Sequence, residues 1–405
     1  MAQGPFIVVG GGLAAAQAVK TLREQGFEDD LVVVSAEPHR PYERPPLSKD
    51  YLRGEADRSG LFPIAEDWLA ERGVDLRAGV AAVGLDVAGH RLTLADGHQL
   101  PYRRLLLATG SSPRSLSLPG ADLQGVLRLR TVADADLLAA TLRSVERLAI
   151  VGDGWIGMEV AASARSLGLD VTVLGAGEAP LRALGPQMGE VFASLHASHG
   201  VELRRRAEVV GFEGADGKVT GVRTADGRTV AADAVLVAVG AYPNTGLAAG
   251  AGIGLREHAL GGGIAVDETL RTTAADVFAA GDAASVPSPR YGRPLRVEHW
   301  ATALDTGPHA AKSMLGSDEP YDALPYFFSD QYDLGMEYKG FVADPAAADL
   351  VVSGSVEDLE FVAFWTAAGK VEAAMAVNTW ERMDEVEALI RSGREVPERE
   401  LASFR

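Results

Sequence analysis

The stretch FIVVGGGLAAAQAV, residues 6–19, decides how this chain folds. Its first four residues are an unbroken apolar run, which suits a strand buried on both faces of a parallel sheet. Gly10, Gly12 and Ala15 then give G-x-G-x-x-A. In that spacing the first glycine permits a tight turn, the second lets backbone approach a pyrophosphate, and the small third residue allows close helix–strand contact. The helix that follows offers unpaired N–H groups and a positive dipole end to a phosphate. A second apolar strand, residues 31–34, is expected next, and Glu37 beyond it can accept hydrogen bonds from ribose hydroxyls.

The pattern returns. LAIVGDGWIGMEVAASARSLG, residues 148–168, carries Gly152, Gly154 and Gly157 and leads into an apolar strand at residues 171–174. Gly26 and Gly168 occupy matching helix-ending positions. Such internal duplication says more than either motif alone, and it predicts sites for two different dinucleotides. Between the two units, residues 87–102 read as β-hairpin with a turn at Asp96-Gly97, ending in an apolar strand at residues 104–110. Hairpin turns are also predicted at Asp216-Gly217 and Asp226-Gly227. Another apolar strand spans residues 234–240. From about Pro325 the sequence turns aromatic and strand-like, and a charged helix is expected over residues 383–392.

Composition narrows the function. The 405-residue chain is long enough for two or three domains. Its 47% hydrophobic and 23% charged residues exclude wholesale disorder. A formal net charge of -18 disfavours nucleic acid and anionic membrane as partners. No apolar run approaches the roughly 20 residues that span a bilayer. Residues 1–12 show neither a basic leader nor a cleavage site, so a cytoplasmic protein is expected. The chain has no cysteine, which excludes thiol nucleophiles, disulfides and protein-held iron–sulfur clusters. No metal site is expected.

Residues 40–49, RPYERPPLSK, together with both glycine units, closely resemble the FAD-dependent ferredoxin reductases of bacterial cytochrome P450 and dioxygenase systems. The resemblance covers essentially the whole chain. It continues through Ala108-Thr109-Gly110, GAYPN at 240–244, VFAAGD at 277–282, RVEHW at 296–300 and FSDQY at 328–332. It implies an α/β fold of glutathione-reductase type: two Rossmann-like dinucleotide-binding domains plus a smaller α+β C-terminal domain. The expected parts are an FAD domain in two stretches (1–112 and 241–322), an inserted NAD(P) domain (113–240) and a C-terminal domain (323–405).

Site roles follow from the same resemblance. Gly10, Gly12, Leu13, Ala14, Ala15 and Glu37 would hold the FAD, with Arg44, Pro45, Ala82 (at the adenine), Ala108, Thr109, Gly110, Arg130, Gly240 and Gly281 beside it. Asp282 would meet the ribityl chain; Glu298, His299, Trp300 and Phe328 would lie near the flavin ring, His299 in a structural role. Lys49 would stand near the redox-active ring, paired with Glu159; an ammonium there can stabilise the reduced, anionic flavin. Gly152, Gly154, Ile156 and Gly157 would hold the nicotinamide cofactor. NADH-preferring relatives carry an acidic residue directly after Val171-Thr172-Val173-Leu174, where this chain has Gly175. Glu178 can reach the ribose instead, and the nearest base to neutralise a 2′-phosphate is Arg182, so NADH is expected over NADPH.

Relatives within the fold that reduce disulfides, peroxides or coenzyme A disulfide use cysteine beside the flavin, which this chain lacks. The expected chemistry is therefore hydride from NADH to FAD and single electrons onward to a small iron–sulfur ferredoxin. Its docking surface is expected at Arg290, Arg293 and Arg296, on a monomer or weak homodimer. Two alternatives stand beside this: a rubredoxin or quinone reductase, and a redox-controlled binding flavoprotein resembling apoptosis-inducing factor.

Overall fold

The computed structural model of the chain describes residues 4–65 and 67–404; the expectation about residues 1–12 falls partly outside them, at residues 1–3. The chain divides into two compact units, one of Met1–Arg44, Arg58–Ser112 and Tyr242–Pro325, the other of Pro45–Asp57, Pro113–Ala241 and Tyr326–Arg405.

The first unit is built on a five-stranded parallel sheet in the order Val277–Ala279, Arg104–Leu107, Phe6–Val9, Leu31–Ser35, Val74–Ala78. The central strand is buried at all four residues, as its unbroken apolar sequence predicts. Burying each such side chain contributes roughly 1.5–3 kcal/mol. The helix Leu13–Glu24 follows the glycine turn and packs against the helix Trp300–Met314. Their approach is close because Gly307 has no side chain: a Cβ there would lie 2.4 Å from the Ala14 carbonyl oxygen. Two three-stranded sheets lie in the same unit: an antiparallel one, Ala82–Asp86, Arg91–Leu94 and Gln99–Pro101, with Asp96-Gly97 turning its second hairpin as expected, and a mixed one, Ile264–Ala265, Ala284–Ser288 and Arg293–Leu295.

The second unit repeats the plan. Its parallel sheet runs Glu202–Arg204, Asp170–Leu174, Arg147–Val151, Ala234–Val237, Val126–Leu127, and the helix Trp155–Ser166 follows the second glycine turn. The hairpin sheet Val209–Ala215, Lys218–Thr224, Thr229–Ala231 turns at Asp216-Gly217, both with positive φ, and again at Asp226-Gly227. Five antiparallel strands follow in the order Tyr326–Gln331, Leu334–Gly340, Lys370–Val377, Glu360–Ala367, Asp349–Ser355. The charged helix spans Met383–Ser392, burying Met383, Val386 and Ile390 on one face.

Two expected strands are shorter than their apolar runs. Arg104–Leu107 and Ala234–Val237 stop three residues before Gly110 and Gly240. Those glycines take φ of +67° and +96°, and the chain leaves the sheet as it approaches them. Among the described residues no helix is long and apolar enough to cross a membrane, and no cluster of His, Cys, Asp or Glu could hold a metal ion.

Candidate functional site

In the first unit the glycine turn is shaped for a pyrophosphate. Gly10 has φ +151° and a Cβ there would sit 2.1 Å from the Ala108 carbonyl oxygen, so only glycine fits. Gly12 caps the helix Leu13–Glu24 with no side-chain hydrogen bond, no acidic residue in the first turn, and nothing within 4 Å of where its Cβ would point. The helix thus presents its first N–H groups, from Leu13, Ala14 and Ala15, to open space at its positive end. Ala15 is fully buried, as the close contact at the third motif position requires.

Glu37 lies past the second strand. Its Oε2 accepts from the Tyr42 hydroxyl at 2.5 Å and its Oε1 from Arg44 at 3.0 Å. A carboxylate offers about four acceptor positions, so two remain for ribose hydroxyls. Beside this turn a cleft of about 350 Å³ is lined by Val9, Ala82, Thr109 and residues 242–247. Thr109 and Asn244 brace one wall: the Thr109 hydroxyl donates to the Asn244 carbonyl at 2.7 Å, Asn244 Nδ2 returns a bond to the Thr109 carbonyl at 2.9 Å, and Gly110 accepts from the Asn244 N–H. An open glycine cap, a carboxylate with spare acceptors and an adjoining cleft fit a dinucleotide such as FAD.

Farther along the unit, Gly281 has φ +69° and its N–H donates to Thr306 at 2.9 Å. Asp282 accepts from Ser111 at 2.8 Å. Burial raises the pKa of the Glu43 carboxyl, and the neighbouring Trp300 indole offsets part of that rise. Burial pulls His299 down to about 4, which leaves it neutral at pH 7. Glu298 is exposed and ion-paired with Arg296 at 2.5 Å.

The second unit holds a buried polar cluster. Lys49 Nζ lies 2.9 Å from Glu159 Oε1. Ser329 donates to the same oxygen at 2.7 Å, and Ser48 donates to Oε2 at 2.5 Å. Pro45 accepts from Lys49 at 3.4 Å, and the Phe328 ring centroid is 5.7 Å from the ammonium. Ser163 donates to the Ser48 carbonyl at 2.7 Å and so ties residues 45–48 to the helix that carries Glu159. The sequence pairs Lys49 with Glu159; it gives no sign of Ser48 and Ser329, whose hydroxyls complete the carboxylate's shell.

The second glycine turn matches the first. Gly154 caps its helix without a side-chain bond and has nothing within 4 Å of its Cβ position, while a Cβ at Gly157 would strike the Gly152 carbonyl oxygen at 2.1 Å. Ile156 is exposed beside it. Gly240 accepts from the Arg114 N–H at 2.8 Å, and the Arg130 N–H donates to Asp134 at 3.1 Å, ahead of the helix Val132–Leu142.

Two expectations meet their surroundings in the structure. Glu178 is ion-paired with Arg206 on the surface, both side chains largely exposed. Arg296 is only 11% exposed and spends its guanidinium on Glu298 and the carbonyls of Gly261 and Asp282, so it presents no charge for docking.

Twin dinucleotide turns on separate parallel sheets, with a buried lysine–glutamate pair, define a flavin- and pyridine-nucleotide-dependent oxidoreductase. The chain belongs to the pyridine nucleotide-disulphide oxidoreductase family, which matches residues 5–307, and residues 326–404 match the reductase C-terminal domain. It is 39% identical over 402 residues to the 5,5′-dehydrodivanillate O-demethylase ferredoxin reductase subunit of Sphingobium sp. (strain NBRC 103272 / SYK-6), covering 98% of this chain and 95% of that protein. The crystal structure of the ferredoxin reductase for the CYP199A2 system from Rhodopseudomonas palustris superposes with a TM-score of 0.94 at 32% identity, covering 99% of this chain and 98% of that one. The reductase of the covalent putidaredoxin reductase–putidaredoxin complex superposes at 0.93 with 31% identity, covering 100% and 96%. The resemblance and the fold class read from the sequence are both borne out.

Proposed function

We propose that this protein carries electrons from NADH to a small iron–sulfur ferredoxin that serves a cytochrome P450 or another oxygenase, and that it works in the cytoplasm. The observation that carries the reading is the absence of cysteine from a chain whose family is named for disulphide chemistry. With no thiol to accept electrons, they must leave the protein by another route. The relatives named ferredoxin reductases, alike over nearly the whole chain, support an outward one-electron route.

When bound, FAD supplies the exchange between a two-electron hydride donor and one-electron acceptors. The chain's own residues bind and orient. The helix caps at Gly12 and Gly154 receive the FAD and nicotinamide-nucleotide pyrophosphates respectively, and Glu37 receives the FAD ribose. We assign Lys49 to the redox end of the flavin, where its ammonium stabilises negative charge and Glu159 holds it in position. Asp282 orients the ribityl chain. The domain division read from the sequence, an FAD domain in two stretches around an NAD(P) domain with a C-terminal domain after it, belongs to the same proposal. Arg290 and Arg293 are the docking surface we propose for an acidic ferredoxin.

Anaerobic rapid mixing with NADH, and separately NADPH, tests this by following flavin absorbance. Fast bleaching by NADH and turnover with an oxygenase ferredoxin are expected. Bleaching by neither nucleotide would remove the electron-transfer reading and leave a binding flavoprotein in its place.

A further inference from the structure

The two glycine turns solve one steric problem in opposite ways. In the first, a Cβ on Gly11 would lie 2.3 Å from Ser35 Oγ; in the second, a Cβ on Gly175 would lie 2.0 Å from Asp153 Oδ2 and 2.6 Å from its Cγ. The positions correspond. Gly11 and Asp153 are the middle residues of their G-x-G turns. Ser35 and Gly175 are the next residues after Val34 and Leu174, which pair in register with Val9 and Val151. Middle residue and strand-end residue therefore share one volume, and only one of them carries a side chain. The first turn places it on the strand end; the second places it in the turn, as a carboxylate.

We propose that Asp153 receives the adenosine ribose of the nicotinamide dinucleotide and selects NADH against NADPH, doing from the glycine turn what an acidic residue at position 175 does in NADH-preferring relatives. The inference rests on the reading of residues 152–157 as the nicotinamide-nucleotide turn.

Asp153 is half-buried at the mouth of that turn. Its carboxylate makes no ion pair and no hydrogen bond to another side chain among the described residues; burial pushes its pKa up, and the charge of Arg182 partly offsets this. An ionised carboxylate with open acceptor positions takes hydrogen bonds from the two hydroxyls of an unphosphorylated ribose. A 2′-phosphate, with no proton to donate in its ionised form and like charge, is repelled. Of the neighbouring cations, Arg204, Arg205 and Arg206 are ion-paired with Glu202, Glu190 and Glu178, and the charge of Arg182 acts on Asp153 itself.

Calorimetric titration of the FAD-loaded protein with ADP-ribose and with 2′-phospho-ADP-ribose tests the assignment without turnover. Wild type should bind ADP-ribose more tightly. Asp153→Gly should weaken ADP-ribose about 10- to 100-fold, the worth of charge-assisted hydrogen bonds, and weaken the 2′-phosphorylated probe less. Asp153→Asn, which keeps the volume and removes the charge, should narrow the discrimination. Gly175→Glu alone should lower the thermal midpoint, because its Cβ meets Asp153; the double variant Asp153→Gly/Gly175→Glu should recover both the midpoint and the preference for ADP-ribose. Unchanged ADP-ribose affinity in a folded Asp153→Gly protein overturns the inference and leaves the nucleotide turn standing. If wild type binds neither probe, the turn itself has been misread and the inference falls with it.

Discussion

Lys49 Nζ stands 2.9 Å from Glu159 Oε1 with both side chains about nine-tenths buried, and Ser48 and Ser329 hold the same carboxylate. Ions so far from water are costly unless paired and hydrogen-bonded throughout. Glu159 accepts from three side chains, and Lys49 adds a backbone carbonyl, so the cluster meets that condition.

Breaking this pair from one side should be expensive. Glu159→Ala leaves an ammonium buried without its counter-ion and should cost about 3–5 kcal/mol of stability. Lys49→Met combined with Glu159→Leu removes both charges and should cost less than Glu159→Ala alone. Urea unfolding of the single and double variants checks this; additive losses would mean the two residues do not act as a pair. In the double variant, flavin reduction by NADH should slow if Lys49 serves the ring as proposed.

His196 makes stability depend on pH. It is fully buried, with Nε2 2.8 Å from Gln331 Oε1, and burial pulls its pKa from 6.5 down to about 4. The folded protein therefore keeps this ring neutral at pH values where the unfolded chain protonates it. Its contribution is fully present above about pH 6.5 and is lost as pH falls toward 4, below which the loss levels off. The size is on the order of 3 kcal/mol. Denaturant midpoints measured from pH 7.5 to 4 should fall in wild type and fall less in His196→Leu; parallel curves would show that other groups set the acid limit.

Charge reversal at Arg290, which is exposed, and Arg293, which is half-buried, should raise the KM for ferredoxin by about tenfold, an effect that steepens as salt is lowered, since charges at a docking surface steer association. Reduction of ferricyanide, which needs no protein docking, should stay the same. Equal losses in both assays would place the damage in the flavin site instead. Arg296 is excluded from the design because its guanidinium is already spent on Glu298.

Most of the framework was legible in the sequence because its signals are local. The apolar runs at residues 6–9 and 148–151, the glycine spacing after them and the Asp-Gly hairpins each dictate their own geometry. The Lys49–Glu159 pair came from family resemblance, since nothing local joins residues 110 positions apart. What stayed hidden depends on which side chains meet in space. The Ser48 and Ser329 hydroxyls on Glu159 are an instance, as are the surface pairing of Glu178 with Arg206 and the lodging of Asp153 against Gly175. Sequence distance and charge count predicted Glu178 for the ribose, whereas the Cβ geometry of Gly175 points to Asp153.

Gly12 separates a binding role from a structural one. Its φ of −109° is open to any residue, and nothing lies within 4 Å of its Cβ position. Gly12→Val should therefore leave the flavin-free protein within about 1 kcal/mol of wild type, the difference expected for a changed helix cap. The new side chain would fill the space in front of the first N–H groups of the helix, and FAD affinity should fall about 10- to 100-fold from the overpacking. Gly10→Ala is the contrast, because φ +151° and a 2.1 Å approach to the Ala108 carbonyl forbid a Cβ in the folded chain whether or not flavin is bound. It should unfold the flavin-free protein at markedly lower urea. Flavin-to-protein absorbance after gel filtration, with urea curves on stripped protein, reads both effects. A Gly12→Val protein that retains FAD as wild type does would mean the pyrophosphate does not sit at this cap.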